Sequence, residues 1–339
     1  MKQAVYLGKE NIEIHEVPIP ECGPDDILVR HIRSSICGTD VAVYTNGPGT
    51  GHRVTIGGEF GHETVSRVVK VGQNITDVKP GDRIYPYPLY AKNDTRRAGT
   101  LGGFSEYMLL PEAKKDHSYY MVDDSISDRA ASLIEPFTVG GRAAKQASPK
   151  PGDKAVVFGC GTIGLAAAVM LKYLGVDEVI VCDRSDFRLG IAAELGFNTC
   201  NTESSDLQEI ARSRWGETYS IHGPVADIDI WIDAAGADNI LSDFMQKGKI
   251  GARFVIVAVN SAERKLNLLD LTYSSQSIIG SGGYRSEDVT DVMNIMKSGR
   301  WDIEKNITDE YDIDELDAAI RRASDSEHAF NVIVHFGEE

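Results

Sequence analysis

The sequence predicts an α/β protein in which a doubly wound parallel sheet is inserted into a mostly β-structured domain. Three observations predict this fold. The apolar run 156–158 leads through a glycine-rich turn into the helix-like run 165–174. Further apolar runs at 226–233 and 251–259 alternate with helical patterns, as in a parallel sheet covered by helices. The start of the chain is patterned instead as short strands separated by turn residues, and residues 286–335 return to a helix-then-strand pattern.

The glycine-rich turn has the spacing that the pyrophosphate of a dinucleotide requires. Gly159 permits a tight turn, Gly161 lets the backbone approach the phosphates, and Gly164 lets the helix pack closely on the strand. Thr162 and Ile163 complete the turn, where the N-terminus of the helix directs free N–H groups toward negative charge. The alternatives are a structural glycine turn and another ligand of the same fold, such as S-adenosylmethionine.

Asp183 follows the next apolar strand and is the candidate ribose ligand. A carboxylate at this place can accept both hydroxyls of the adenosine ribose and repels a 2′-phosphate, so it favours NAD. Arg184 could instead attract that phosphate, which keeps NADP as the second choice. Further candidate contacts of the cofactor are Arg188 in the next helical stretch and the strand-end residues Ala235 and Val259, although strand ends also pack without any ligand.

Length and composition limit the number of domains, the kinds of partner and the cellular location that can be expected. A chain of 339 residues is expected to form two domains. Its 51 acidic and 35 basic side chains give a net charge of −16, which argues against nucleic acid and anionic membranes as partners. No signal peptide or membrane span is recognisable. The five cysteines include no C-x-x-C pair, so we expect no disulfide framework and a reducing, cytoplasmic location.

Cys37 and the adjacent pair His62 and Glu63 are candidate metal ligands. A cysteine by itself would be interpreted as a small buried hydrophobic residue. Thiolate, imidazole and carboxylate together are the ligand types that hold Zn²⁺ while leaving one position open for water or substrate. A short helix is predicted after Cys37, with Thr39 or Asp40 as its N-cap.

At these residues the sequence resembles the zinc-dependent medium-chain dehydrogenases, the superfamily of alcohol, sorbitol and threonine dehydrogenases. The resemblance covers nearly the whole chain. It rests on an ordered set of short motifs: C-G-T-D at 37–40, G-H-E at 61–63, G-D-R at 81–83, G-G-F-S-E-Y at 102–107 and I-E-P-F at 134–137.

The resemblance implies a particular domain organisation. A GroES-like catalytic domain is expected over residues 1–139 and 284–339, and a Rossmann dinucleotide-binding domain over residues 140–283. The resemblance also implies a homodimer or homotetramer.

The resemblance further implies one catalytic zinc, held by Cys37, His62 and a carboxylate. Glu63 and Glu135 compete for the third place, because polyol dehydrogenases of this family carry a Glu-Pro pair where simple alcohol dehydrogenases have a second cysteine. One of the two could bind the metal while the other holds the metal-bound water. Glu135 could also be only an acidic residue in the first turn of the helix that follows. Thr39 is expected to take the proton of the substrate hydroxyl.

The sequence departs from the family pattern at three places. Residues 86–97 contain no cysteine where many relatives carry a four-cysteine lobe, so no structural zinc is expected. Ala42 stands where threonine and sorbitol dehydrogenases have a histidine that passes protons to solvent. The proton relay then ends at Thr39 and water, or His52 replaces the missing group. Ser66 stands where the family usually has glycine, and we expect it to change local packing only.

We therefore expect a zinc-dependent oxidoreductase that transfers hydride between an alcohol and NAD or NADP. The Glu-Pro pair, with Tyr44, Phe104 and Tyr284, suggests a polyol or sugar-like substrate, while sugar acids, amino alcohols and sugar phosphates remain open. One alternative is a zinc-free reductase of quinones or activated alkenes, which would not need the three metal ligands together. Another is a non-catalytic nucleotide-binding protein of the same fold.

Overall fold

The structure is a computed structural model that describes residues 1–50, 54–88 and 102–337. The chain divides into two compact units. The first unit comprises Met1–Glu135, Met296–Gly299 and Ile303–Glu339, and the second comprises Pro136–Ile295 and Arg300–Asp302. Residues 284–295 thus belong to the second compact unit, whereas the family resemblance assigns them to the catalytic domain. The functional boundaries remain a prediction.

Short strands dominate the first part of the chain, as the alternation of apolar and polar residues predicts. The elements are β1 (Lys2–Gly8), β2 (Asn11–Glu16), β3 (Ile27–Ser35), α1 (Gly38–Asn46), β4 (Glu63–Val71), β5 (Arg83–Pro86), β6 (Tyr107–Leu110), β7 (Tyr119–Met121), α2 (Asp128–Ala131) and α3 (Ile134–Gln146). Strands β1 and β2 form an antiparallel pair, and β3 pairs antiparallel with both β4 and β6.

Strands and helices alternate through the second unit. The elements that follow α3 are β8 (Lys154–Phe158), α4 (Thr162–Tyr173), β9 (Glu178–Asp183), α5 (Asp186–Glu194), β10 (Asn198–Asn201), α6 (Leu207–Trp215), β11 (Glu217–Ser220), β12 (Gly223–Ala226), β13 (Ile230–Asp233), α7 (Asp238–Lys247), β14 (Arg253–Ile256), α8 (Leu268–Ser274), β15 (Ser277–Gly280) and α9 (Ser286–Ser298). Every helix that the structure describes falls short of the length and apolarity that a bilayer span requires.

A six-stranded parallel sheet organises the second unit, in the order β10-β9-β8-β13-β14-β15. This is the strand order of a doubly wound sheet, in which the direction of progression reverses between β8 and β13. The predicted fold class is confirmed. Two predicted strands were too long: residues 226–233 divide into the end of β12 and β13, and the run 251–259 shortens to β14. Strands β11 and β12 pair as a separate hairpin that the sequence did not predict.

The end of the chain, from Ile303 onward, belongs to the first unit and has the helix followed by a strand that its sequence pattern predicts. It contains two 3₁₀ helices, Ile303–Asn306 and Ile313–Glu315, with β16 (Ile307–Asp312), α10 (Leu316–Ala323) and β17 (Asn331–His335). Strand β17 pairs antiparallel with β3, which completes a sheet in the order β16-β17-β3-β4-β5-β7 with β6 also on β3. The C-terminal end of β3 is therefore held from both sides, by β4 and by β17.

Candidate functional site

Cys37 occupies the N-cap position of α1, directly after the end of β3. Its Sγ accepts the backbone N–H of Thr39 at 3.5 Å, and Asp40 closes a capping box by accepting the backbone N–H of Cys37 at 3.0 Å. The predicted cap at Thr39 or Asp40 was wrong, because the thiol itself takes this place. A helix N-terminus favours negative charge, so it suits a thiolate ligand.

Strand pairing brings His62 and Glu63 next to Cys37. Glu63 begins β4 and lies opposite Ser35 near the end of β3. The Ser34 hydroxyl donates to the Glu63 carbonyl at 3.1 Å. As a result the ligand atoms of Cys37, His62 and Glu63 all lie within 4.8 Å of one another. The sequence prediction named these three residues together, and the structure places them in one cluster.

Gly61 shapes the turn that carries His62 into this cluster. Its φ is +86°, which is the left-handed region that favours glycine. A Cβ at this position would lie 2.5 Å from Cδ2 of Phe104, so a side chain there would also collide with an aromatic ring of the core. The family motif G-H-E is therefore explained locally by backbone conformation and close packing.

Two neighbours of the cluster act on its ligands. Asp40 is fully buried, and its Oδ1 lies 3.9 Å from Nδ1 of His62. This separation is too long for a hydrogen bond, so Asp40 acts on His62 through its charge, which favours a proton on the facing ring nitrogen and leaves the other nitrogen to bind a metal. The Thr39 hydroxyl donates to Cys37 Sγ at 3.1 Å. Sequence reasoning had missed this role for Asp40, although a capping-box acid next to a candidate ligand was a usable signal.

Burial makes it costly for the cluster to carry negative charge when no cation is bound. Burial, followed by the charges of Glu63, Asp40 and Glu135, raises the pKa of the Cys37 thiol well above its usual range. Burial also raises the pKa of Glu63, against the charge of His62. Among the described residues, Glu63 Oε2 has no hydrogen-bond partner. Buried charges in proteins are paired or bind metals, and this donor set of sulfur, nitrogen and oxygen fits Zn²⁺.

Glu135 is buried in the first turn of α3. It lies within electrostatic reach of Cys37 but outside the cluster of three ligands. Helix α3 begins one residue earlier than Glu135, at Ile134, so the position suits both an acid near a metal and a helix-terminus acid. The two interpretations therefore need an experiment.

In the second unit, the glycine-rich turn has the close approaches expected of a phosphate-binding turn. Gly159 has φ +93°, and a Cβ on Gly164 would lie 1.8 Å from the carbonyl oxygen of Gly159. Gly161 is the N-cap of α4 and has no side chain to occupy the first N–H groups of the helix, where Thr162 and Ile163 lie. This cradle fits a pyrophosphate group.

Asp183 lies beside this turn at the end of β9. Its Oδ2 accepts the backbone N–H of Cys160 at 2.6 Å, and its Oδ1 accepts the N–H groups of Arg184 at 2.7 Å and Ser185 at 2.9 Å. An ionised carboxylate has about four acceptor sites, and these three N–H groups leave about one of them for a ribose hydroxyl. The side chain of Arg184 is 79% exposed, and its Nη1 lies 3.9 Å from Glu203.

The remaining candidate cofactor residues lie at the same edge of the sheet. The Arg188 guanidinium faces Gly161, with Nη1 3.7 Å from where a Cβ would be. Ala235 is exposed after β13, in a turn that Asp233 shapes by accepting the N–H groups of Ala235 and Gly236. Val259, beyond β14, is 78% exposed.

The structure shows the surroundings of the three aromatic residues and of Ser66 that the sequence had singled out. Tyr44, Phe104 and Tyr284 are buried, so they are core residues rather than indicators of the substrate. The Tyr44 hydroxyl donates to Asp317 at 2.5 Å. Ser66 Oγ lies 2.7 Å from Nδ1 of the buried His31, a local packing contact. His52 and most of the cysteine-free segment 86–97 lie outside the described residues.

Comparison with known proteins adds to this geometry. The family described as "Zinc-binding dehydrogenase" matches residues 162–298, and the family "Alcohol dehydrogenase GroES-like domain" matches residues 23–117. Among curated proteins, (R,R)-butanediol dehydrogenase of Bacillus subtilis is 27% identical over 93% of this chain and 94% of its own. Sorbitol dehydrogenase of the same organism is 26% identical, over 95% and 93%.

A solved structure has a similar fold. The crystal structure of 2R,3R-butanediol dehydrogenase from Bacillus subtilis superposes with a TM-score of 0.85 at 24% identity, covering 99% of each chain. At this level of identity the likeness shows the fold alone.

Proposed function

The chain belongs to the zinc-type medium-chain dehydrogenase family, and from that premise we propose that it is an NAD-linked dehydrogenase of a polyol or sugar-like alcohol. The coarser activity follows from its relatives: it is a nicotinamide-dependent alcohol dehydrogenase that acts on CH–OH groups. In this proposal residues 1–139 with 284–339 form the catalytic domain, and residues 140–283 bind the dinucleotide.

The observation that carries the proposal is the buried cluster of Cys37, His62 and Glu63. A zinc-free reductase of the same fold would have no use for three convergent ligand types in a buried position. We propose that these residues hold one zinc per chain, with Glu135 close by. No second, structural zinc is proposed, because the sequence lacks a four-cysteine lobe.

The residues around the cluster have distinct tasks. Zinc, when bound, would supply a Lewis acid that makes a substrate hydroxyl easier to deprotonate, and nicotinamide would supply the hydride acceptor. The charge of Asp40, 3.9 Å from His62 Nδ1, favours the ring orientation and tautomer that leave the other nitrogen to the metal. The Thr39 hydroxyl directs its hydrogen to Cys37 Sγ, so its oxygen lone pairs remain able to accept the proton of a substrate hydroxyl. For Thr39 to take up that proton, its own hydrogen must turn from Cys37 Sγ to a water molecule and leave with it, since Ala42 offers no acidic or basic side chain.

Cofactor choice is proposed to rest on Asp183. Its carboxylate is fixed beside the glycine-rich turn, where it attracts ribose hydroxyls and repels a 2′-phosphate. Arg184 supports this choice only indirectly, because its exposed guanidinium lies toward Glu203 and is thereby drawn to another carboxylate. NAD is therefore favoured over NADP.

The proposed substrate class rests on the relatives, and the proposed assembly rests on exposed apolar residues of the second unit. Relatives named for butanediol and sorbitol act on compounds with more than one hydroxyl, which favours a polyol. Leu268, Leu269 and Tyr273 are exposed on α8, beside the edge strand β15. Exposed apolar residues at a sheet edge mark a protein contact, so we propose a homodimer or homotetramer. All five cysteines are free thiols, which suits the cytoplasm.

The test combines metal analysis with a substrate panel. Purified protein is expected to contain about one zinc per chain and to reduce NAD⁺ with at least one polyol in a panel of alcohols, sugar acids and amino alcohols. Cys37→Ser is expected to lose zinc and turnover together. Cys22→Ser is the matched control, because Cys22 is a partly exposed free thiol of the same unit outside the cluster. Two zincs per chain, or full turnover in Cys37→Ser, would contradict the proposal.

A further inference from the structure

The turn that follows β13, residues 234–238, is fixed more firmly than its exposure suggests. From the sheet side, Oδ1 of the buried Asp233 accepts the N–H groups of Ala235 at 3.1 Å and Gly236 at 2.7 Å. From the other side, the Gly236 carbonyl accepts two side-chain donors, Asn260 Nδ2 at 2.7 Å and Arg264 Nη2 at 3.1 Å. The same Arg264 nitrogen lies 2.9 Å from Asp238 Oδ1.

Arg264 is therefore the side chain that ties the middle of this turn to its end at α7. Its guanidinium contacts a carbonyl in the middle of the turn and a carboxylate at the start of α7. The charge of Arg264 also acts on the buried Asp233. Burial raises the pKa of Asp233, and the N–H groups of Gly236 and Ala235, together with the charge of Arg264, oppose that rise. Without Arg264, the buried Asp233 would lose a nearby positive charge, and the exposed Asp238 would lose its ion-pair partner.

The topology of the sheet indicates which part of a dinucleotide this turn faces. The glycine-rich turn lies at the carboxyl end of β8, and the turn 234–238 lies at the carboxyl end of its neighbour β13. A Cβ on Gly159 would lie 2.9 Å from the carbonyl carbon of Ala234, so the two turns touch. Dinucleotides bind across the point where strand order reverses, with one half on each side. Asp183 marks the adenosine side, so the turn 234–238 lies on the nicotinamide side.

We propose that Arg264 is a positioning residue for the nicotinamide half of the cofactor, acting through the turn 234–238. The inference rests on the proposed function, since it takes nicotinamide dinucleotide as the ligand of this edge. Arg264 holds the Gly236 carbonyl inward, so that the exposed backbone around Ala235 keeps one conformation toward the ligand. It also offsets the two nearby carboxylates where a doubly negative pyrophosphate approaches. Arginine suits both tasks because its planar guanidinium presents several donors and one permanent charge.

Arg253 provides a matched control for loss of a loop-holding arginine. Its Nη1 donates to the carbonyls of Ala147 and Ser148, both at 2.9 Å, and its Nη2 lies 2.7 Å from Asp153. Its side chain is 19% exposed, against 22% for Arg264. Arg253 begins β14, at the end of the strand opposite to the edge where the ligand binds. Both arginines thus stabilise loops, but only Arg264 does so at the ligand edge.

The test compares binding of NADH with binding of AMP, which carries only the adenosine half. Zinc-loaded wild-type protein, Arg264→Met, Arg264→Lys and Arg253→Met are titrated with NADH by its fluorescence and with AMP by calorimetry. Arg264→Met is expected to weaken NADH binding by about tenfold or more, the effect of losing a charge-assisted hydrogen bond, with AMP affinity nearly unchanged. Arg264→Lys should restore part of the loss. Arg253→Met should lower the melting temperature and leave NADH affinity unchanged.

Two results would overturn the inference. One is Arg264→Met protein that binds NADH as tightly as the wild type. The other is equal weakening of NADH and AMP, which would mean general damage to the unit. Should Arg264→Met fail to fold, Arg264→Gln carries the same comparison, because it keeps a donor and removes the charge. Wild-type protein that binds AMP but neither NADH nor NADPH would instead refute the proposed function and the inference with it.

Discussion

Replacement of Glu135 by glutamine separates two interpretations of a buried acid. The change keeps the size of the side chain and removes its charge. If Glu135 acts on the metal or its bound oxygen, zinc affinity or turnover should fall by about 10–100-fold. If it only interacts with the dipole of α3, the cost should be about 0.3–1 kcal/mol of stability with turnover intact. Because Glu135 is buried within electrostatic reach of Cys37, we expect the first outcome.

The structure also predicts the sign of the stability effect. The carboxylates of Glu63, Asp40 and Glu135 all act on Cys37, whose raised pKa keeps it a neutral thiol when no cation is present, so the repulsion in metal-free protein is among these carboxylates. Glutamine at 135 relieves part of this repulsion, so metal-free protein should be as stable as the wild type or more stable. Zinc should stabilise the variant less, because binding to the folded state contributes RT ln(1 + [Zn]/Kd). A tenfold loss of affinity therefore removes about 1.4 kcal/mol of zinc-dependent stability.

The assay is thermal unfolding with and without zinc, together with zinc affinity from competition with a chelator and kcat on the best substrate of the panel. Glu287→Gln is the control. Glu287 is the second residue of α9, as Glu135 is of α3, and both helices have 13 residues. Its side chain is 63% exposed and lies 3.8 Å from Arg285 Nη1, so it reports the effect of the helix terminus together with one surface ion pair of little energy. If Glu135→Gln behaves like Glu287→Gln, with wild-type zinc affinity and kcat, Glu135 has no part in the site.

Two further variants test the cofactor site and the core. Asp183→Ala should weaken NADH about tenfold or more and NADPH much less, because the carboxylate binds ribose hydroxyls and repels a 2′-phosphate; equal losses in fluorescence titrations would remove Asp183 from this role. Tyr44→Phe should leave zinc content and turnover unchanged and cost about 1 kcal/mol, measured by urea unfolding at pH 8. Burial, together with the hydrogen bond to Asp317, raises the pKa of Tyr44 from 10.0 to about 12. The proton is held more tightly in the folded state, so the advantage over Tyr44→Phe is complete below pH 10.0 and should shrink as pH rises toward about 12. A difference that persists at pH 11 would contradict this assignment.

The local sequence was sufficient to predict a feature wherever its chemistry depends only on residues that are close together along the chain. The glycine spacing at 159, 161 and 164 has a physical reason within a few residues of itself, so it could be interpreted without the fold. The pair His62 and Glu63 is similar, because two adjacent ligand types after a glycine are unusual. The distance from His62 and Glu63 to Cys37 could not be predicted from the local sequence, since it depends on the register of β3 against β4.

Aromatic residues show where this approach fails. Tyr44 and Phe104 lie beside or within the family motifs, and Tyr284 lies near the cleft in folds of this family, and these positions suggested contact with substrate. In the fold all three are buried; Tyr44 and Phe104 belong to the core of the first unit, where the ring centroid of Phe104 lies 4.9 Å from that of Phe60. Sequence position does not encode the direction of a side chain in an irregular segment, so neighbours of a motif are weak indicators of a site.

The sequence by itself determined the fold class, the glycine-rich turn with its acidic partner, and the set Cys37, His62 and Glu63. Each of these follows from residue type and spacing within one chain segment, or from an ordered set of motifs. Only the tertiary structure decided that Cys37 caps α1, that Asp40 lies behind His62, and that Arg264 holds the turn at Gly236. These contacts join segments through strand register and burial. Their energies depend on distances in space that no local pattern contains.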